Sequence, residues 1–293
     1  MKPSRPRAII VGCGYVGRRL AHALSSTHDV FAIVRSDASR DQLREQGIEA
    51  ASYDLDTSTV EAWPLRPTQV DESMLFYLTP PPNDGVSDAR LDRFLRRIKG
   101  RPAVFIYMST TGVYGNQGGA DVDESTPVNP QTDRAQRRMS AEHMTRVWCN
   151  EQQVRRVVLR VPGIYGPGRI ALARLQRREP FIRSAEAGVS NRIHVDDLVA
   201  ACVAVAQNGE ARGVYNVTDG NSMSSTDFMR RVAAIANLPA PREISRDEAR
   251  ATMSAERMSF LDESRRVSNQ RLINELGLRL RYADVDSGIR ASI

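Results

Sequence analysis

The stretch Arg7 to Leu24, RAIIVGCGYVGRRLAHAL, restricts the possible folds of this chain more than any other. Ala8, Ile9, Ile10 and Val11 form a short apolar run suited to a strand buried on both faces, and Gly12, Gly14 and Gly17 follow at G-x-G-x-x-G spacing before a helical pattern begins. Gly12 permits a tight turn, Gly14 leaves room for the backbone to approach a pyrophosphate, and Gly17 lets the helix pack closely on the strand. The helix would then present its unpaired N–H groups and positive dipole end to phosphates. Gly12, Gly14, Tyr15, Val16 and Gly17 are the contacts expected there.

A second apolar run, Val30 to Val34, ends in Arg35-Ser36, where a dinucleotide fold places the residue that meets the adenosine ribose. An acidic residue there would accept hydrogen bonds from the 2′-hydroxyl of NAD, whereas Arg35 offers a cationic fork suited to a 2′-phosphate. The expected cofactor is therefore NADP rather than NAD. Ile48–Tyr53, Ser73–Leu78 and Ala103–Met108 read as further strands, with Val86–Lys99 a helix between the last two. That alternation implies an α/β fold with a doubly wound parallel sheet of the Rossmann type. Right-handed crossovers would bring the glycine turn, Arg35-Ser36, Asp54-Leu55, Leu78-Thr79-Pro80 and Ser109–Thr111 to one edge. The prolines after Thr79 read as a stiff wall for the cofactor.

Composition narrows the function class. With 293 residues and 41% apolar content the chain can bury a full core. Its net charge of +6 is spread along the sequence with few interleaved aromatics, which argues against nucleic acid as a partner. All but two of the 41 basic residues are arginine, the exceptions being Lys2 and Lys99, so lysine chemistry is nearly excluded. Cys13, Cys149 and Cys202 share no metal-like spacing, so no metal site is expected. With no signal peptide before the first strand, they point to reduced thiols in the cytoplasm. No run approaches the length needed to cross a bilayer.

Several further segments resemble one family, the extended short-chain dehydrogenase/reductases, also called NAD(P)-dependent epimerase/dehydratases. They are the glycine turn, Asp54-Leu55, the run Ser109 to Gly115 (STTGVYG), the run Arg160 to Pro167 (RVPGIYGP), and Ile193 to Leu198 (IHVDDL). Tyr215-Asn216-Val217, Val267-Ser268-Asn269 and Leu276-Gly277 resemble its C-terminal segments. The resemblance implies a dinucleotide-binding domain over 1–165 and a small substrate-binding domain over 166–293, with about 190–218 returning to the sheet. It also implies a small-molecule substrate, a cofactor contact at Pro162, and a homodimer through the helices after the fourth and fifth strands.

One departure bears on mechanism. The family's Tyr-x-x-x-Lys pair supplies a general acid/base phenol and the lysine that tunes it; alignment on Pro130 and Glu142 puts Arg134 and Arg138 there. Four-residue spacing keeps both on one helix face, but Arg134 cannot shuttle a proton at neutral pH. Arg138 could still hydrogen-bond the nicotinamide ribose. Thr110 matches the family's catalytic Ser/Thr, with a turn cap as its alternative role. Tyr114 and Tyr165 are the nearest phenols that could donate a proton, though ring packing is the expected role for both.

His194, Asp196 and Asp197 read as a strand end followed by a helix cap. Arg169, Arg174, Arg177, Arg178 and Arg183 read as a solvated face rather than an anion site. Nucleotide-sugar enzymes of the family usually carry a longer insert here and an arginine at the position of Ser190, which disfavours a nucleotide sugar. The tail reads as a capped helix from Ser224 to Asn237, a loop over Leu238–Pro241, a helix over Arg246–Arg257 and another over Asn269–Leu276. Two functions fit: an NADP-dependent oxidoreductase of atypical type acting on a small polar molecule, or a catalytically silent NADP-binding sensor or partner-binding protein.

Overall fold

A computed structural model describes residues 5–293; Lys2 lies outside the described residues. Two compact units form. The first runs to Thr110 and takes in Asp133–Arg160 and Val199–Tyr215; the second comprises Thr111–Thr132, Val161–Leu198 and Asn216–Ile293.

The first unit is built on seven strands: β1 (Arg7–Val11), β2 (Asp29–Val34), β3 (Glu49–Ser52), β4 (Met74–Tyr77), β5 (Val104–Thr110), β6 (Arg155–Val161) and β7 (Gly213–Asn216). Their order is β7-β6-β5-β4-β1-β2-β3, with β1 parallel to both β2 and β4. Helices α1 (Tyr15–Leu24), α2 (Asp37–Glu45), α3 (Ala89–Arg97) and α4 (Asp133–Glu151) make the crossovers of this parallel, doubly wound sheet. The apolar runs form strands because both faces are covered: Ile9, Val11, Phe31, Ile33, Leu75, Tyr77, Phe105 and Tyr107 lie in one core cluster under α3 residues Leu91 and Phe94. The chain reverses direction across the sheet between β1 and β4, and such a switch point leaves a crevice at the carboxyl ends of the strands.

The second unit is a set of short paired strands and helices. Gly163–Tyr165 runs parallel to Arg192–His194, and Pro180–Ile182 to Arg242–Ile244. Helix Ser225–Ile235 is capped by Ser224, whose Oγ accepts the Asp227 N–H at 3.0 Å, as its spacing implies. The boundaries differ from the expected division at 165. Residues 111–132 fall in the second unit because Asp121–Val122 pairs with Arg266–Val267, and the returning stretch that joins the first unit is Val199–Tyr215. The helix expected over Arg246–Arg257 is two helices, Arg246–Thr252 and Ala255–Leu261. Met253 is extended and Ser254 caps the second through the Arg257 N–H. Helix Val285–Arg290 had no counterpart in the sequence reading.

Candidate cofactor site

A cavity of about 420 Å³ opens at the carboxyl ends of β1 to β4. Gly12, Gly14, Arg35, Ser36, Asp54, Leu55, Thr79 and Pro80 line it, together with Arg18, Ser39 and Arg90. Four of the five segments expected to converge line this cavity; the fifth, Ser109–Thr111, does not.

The glycines divide the work as their spacing predicts. Gly12 sits at φ +87°, and a Cβ there would come within 2.7 Å of the Thr79 backbone nitrogen. A Cβ on Gly17 would come within 3.1 Å of the Gly12 carbonyl, so this glycine sets how closely α1 packs on β1. Gly14 is exposed, and a Cβ added to it meets no protein atom within 4 Å. The space in front of Gly14 is thus a cradle that a side chain would fill, beside the N-terminus of α1, and it fits a pyrophosphate.

Arg90 holds the wall. From α3 it donates to the Asp56 carboxylate through Nε and Nη2 and to the Pro80 and Pro81 carbonyls through Nη1. Its neighbour one turn on, Arg93, donates to the carbonyls of Leu55 and Asp56. Hydrogen bonding from Arg90 holds the Asp56 carboxyl below its ordinary range. The stiff proline segment was legible in the sequence; this brace was not, since arginines on an amphipathic helix look like a solvated face. On the opposite side, Ser36 caps α2 and shares a hydrogen bond with Ser39, and exposed Arg35 stands at the end of β2. Burial pushes the Cys13 thiol up to about 12, which removes it as a nucleophile.

The other residues expected to contact a cofactor lie outside the lining of this cavity. Val16 and Gly17 are buried against the sheet, and the Tyr15 ring packs beneath the Arg19 guanidinium at 4.1 Å. Leu78, Pro162 and Arg138 are also absent from the cavity lining. Arg138 Nη1 donates to the Met108 carbonyl at 2.9 Å and to the Tyr107 hydroxyl at 3.2 Å, which fastens α4 to β5. Arg134 lies half-buried one turn earlier on α4. Thr110 ends β5, half-buried, and its neighbour Ser109 donates to Glu142 Oε1 at 2.6 Å. Glu142 in turn forms a two-pronged pair with Arg160 of β6, both side chains about nine-tenths buried. Sequence reasoning used Glu142 only as an alignment anchor and missed this lock between β5, α4 and β6. Tyr114 is fully buried in the second unit, where its hydroxyl donates to Asn216 Oδ1 at 2.9 Å. A phenol so enclosed packs its ring, the role expected of it over proton donation, with its hydroxyl on a side chain rather than on backbone.

In the second unit, His194 and Asp197 make structural contacts: Asp197 accepts the N–H groups of Arg281 and Tyr282, and the His194 ring meets Tyr165 edge to face and Tyr282 at a tilt. Asp219 is unusual. Burial pushes its carboxyl up to about 6, opposed by hydrogen bonds from Asn221 and the charge of Arg192, with Asp197 and Tyr165 the other ionisable neighbours. Because the folded-state value lies above the unfolded one, the folded protein holds an extra proton between about pH 4 and 6, and stability falls as pH rises through that window. Asp219→Asn keeps the acceptor for the Asn221 N–H and removes the charge. Urea melts are expected to show the variant gaining about 1–3 kcal/mol over wild type between pH 4 and 7; parallel pH profiles would refute this.

Among the described residues no helix is long and apolar enough to cross a membrane, and no group of three or more His, Cys, Asp or Glu could hold a metal ion.

Comparison with known proteins gives partial matches in sequence and near-complete ones in structure. Residues 88–218 match the NAD dependent epimerase/dehydratase family, and residues 8–62 match the TrkA-N domain. A dTDP-D-glucose 4,6-dehydratase of Dictyostelium discoideum is 23% identical over 151 residues, 45% of this chain; the chain spans only 35% of that relative. A 3-diazoavenalumate denitrifying reductase from a Streptomyces species is 26% identical over 259 residues, covering 81% of this chain and 84% of that protein. The structure of a functionally unknown conserved protein from Silicibacter pomeroyi DSS superposes with a TM-score of 0.79 at 29% identity, covering 98% of this chain and 97% of the other. UDP-glucuronic acid 4-epimerase from Bacillus cereus, solved with NAD, superposes with a TM-score of 0.73 at 16% identity over 98% and 95% of the two chains.

Proposed function

We propose, from the match of residues 88–218 to the NAD dependent epimerase/dehydratase family, that this chain is an NADP-dependent reductase of atypical type acting on a small molecule. The observation that carries the reading is the convergence of the glycine turn, Arg35-Ser36, Asp54-Leu55 and Thr79-Pro80 on one cavity. Gly12 and Gly14 would hold the pyrophosphate, Arg35, Ser36 and Ser39 the 2′-phosphate, and Asp54 with Leu55 the adenine side. When bound, the reduced nicotinamide supplies a hydride. The protein's own contribution is to orient that group and to offer the Thr110 hydroxyl as a hydrogen-bond donor to a carbonyl oxygen.

Reduction is favoured over epimerisation or dehydration by the same residues. Those reactions need a group that takes a hydroxyl proton away and returns it, worth about 10²–10⁴-fold, whereas reduction needs only one proton on the alkoxide oxygen left by the hydride, which solvent water would supply. Arg134 keeps its proton at neutral pH, and Arg138 is fastened to the Met108 carbonyl. A relative aligned over 81% of this chain and 84% of its own length is named a reductase, while one aligned over 64% and 57% is named a dehydratase. The alternative of a silent NADP sensor is separated by turnover.

Fluorescence titration is expected to show NADPH binding about tenfold or more tightly than NADH, since a charge-assisted phosphate contact contributes roughly 1.5–3 kcal/mol. Arg35→Glu should invert the order. Equal affinities for the two nucleotides would overturn the NADP assignment. Loss of NADPH absorbance against a panel of carbonyl compounds, with none against nucleotide sugars, tests the reductase reading.

A further inference from the structure

The second unit holds a cavity of its own, about 380 Å³, within the range of small-molecule sites. Ile170, Phe181, Phe228, Met229, Met253 and Phe260 give it a mostly apolar and aromatic wall. Phe260 stays 55% exposed, which is unusual for a side chain of that size. Four arginines also line the cavity (Arg169, Arg174, Arg192 and Arg257), and no carboxylate does.

These arginines are not equivalent. Glu179 pairs with Arg174 at 3.0 Å and lies 3.8 Å from Arg257, so both have a counter-charge. Arg192 is only 5% exposed, and among the described residues no carboxylate reaches it within 4 Å. Its guanidinium packs 4.5 Å from the Phe228 ring centroid, Nη2 makes one long bond to the Met223 carbonyl, and Nη1 has no hydrogen-bond partner. Asp219 and Asp227 act on this cation only from beyond ion-pairing distance; with Nη1 lacking a hydrogen-bond partner, an anion in the apolar cavity beside it would add the direct contact that neither carboxylate makes.

We propose that this cavity binds a small aromatic monocarboxylate, its ring against Phe181, Phe228 and Met229 and its carboxylate on Arg192. Arg192 offers one unpartnered nitrogen, Nη1, from an otherwise apolar and aromatic wall, which suits one carboxylate on a ring; Glu179 is shared by Arg174, Arg177 and Arg257, so the UDP control decides whether a diphosphate is preferred. The site is a claim about binding; that the ligand is also the compound reduced rests on the function proposed above.

Calorimetric titration of the full chain with trans-cinnamate tests it, with cinnamamide as the uncharged isostere and UDP as the nucleotide control. Cinnamate is expected to bind about tenfold or more tightly than cinnamamide. Arg192→Met should erase that difference, and Arg192→Lys should restore part of it. Met253→Trp, which fills the cavity and leaves the buried charge in place, should abolish binding of both and guards against misfolding of the arginine variants. Equal binding of acid and amide by the wild type, or UDP binding more tightly than cinnamate, would overturn the proposal. Arg192-dependent binding without NADPH turnover on carbonyl-bearing aromatic carboxylates would leave the site standing and remove the reductase reading. NADPH turnover on them that is unchanged in Arg192→Met would remove the site and leave the reductase.

Discussion

Gly14→Val is expected to lower dinucleotide affinity by at least about 100-fold, or roughly 2.7 kcal/mol, while the protein melts within about 4 °C of wild type. The two halves of this expectation have separate causes. Gly14 has φ −91° and ψ −138°, a negative φ with ψ between the α and β regions, and its missing Cβ faces no protein atom within 4 Å, so the fold loses only local backbone strain at the turn. The added isopropyl group instead occupies the space a pyrophosphate needs, at the N-terminus of α1. Gly12 serves as the control in the opposite direction: at φ +87° and 2.7 Å from the Thr79 nitrogen, a side chain there strains the turn itself. Calorimetric titration with NADPH and a thermal melt check both halves. Unchanged affinity in Gly14→Val would show the glycine turn to be only a turn.

Removing the Glu142 carboxylate should be the most damaging change to stability. Glu142→Ala strips the counter-charge from Arg160, whose side chain is 7% exposed, and the hydrogen-bond acceptor from Ser109 Oγ. Leaving one member of a buried ion pair uncompensated costs about 3–5 kcal/mol, which for a chain of this size is roughly 6–15 °C in melting temperature. The double variant Glu142→Leu with Arg160→Met removes both charges together and should recover much of that loss, because the stabilisation of a buried pair over apolar replacements is small. Urea melts of the three proteins decide it; a single-variant loss below about 1 kcal/mol would show that the pair is solvated.

The sheet and its cofactor edge were legible because their signals are local. Ile9–Val11 and Phe31–Val34 are runs that only a doubly covered strand accommodates, and the glycine spacing directly encodes a turn and a close approach. Sites made by pairing across sequence were not legible. Arg90 and Asp56, Glu142 and Arg160, and the unpartnered Nη1 of Arg192 depend on which surfaces meet. In a chain whose basic residues are nearly all arginine, the buried ones look like the exposed ones. The same limit explains Tyr114: its motif placed it near chemistry, and only its partner Asn216 shows a committed hydroxyl. The split of the expected Arg246–Arg257 helix came from a local competition, in which the Ser254 side chain captured a backbone N–H that a continuous helix would have kept.

The Arg90 brace also bears on how a bound nucleotide could leave. One guanidinium grips the carboxylate of Asp56 after β3 and two proline carbonyls after β4, so loops from different strands share a single latch. Neither loop can swing outward alone without breaking its own share of those bonds, and the prolines themselves resist bending. An outward swing of the proline loop would therefore break bonds of the same arginine that holds Asp56, while Arg93 adds its own hold on Leu55 and Asp56, and both guanidinium groups stay charged at every physiological pH.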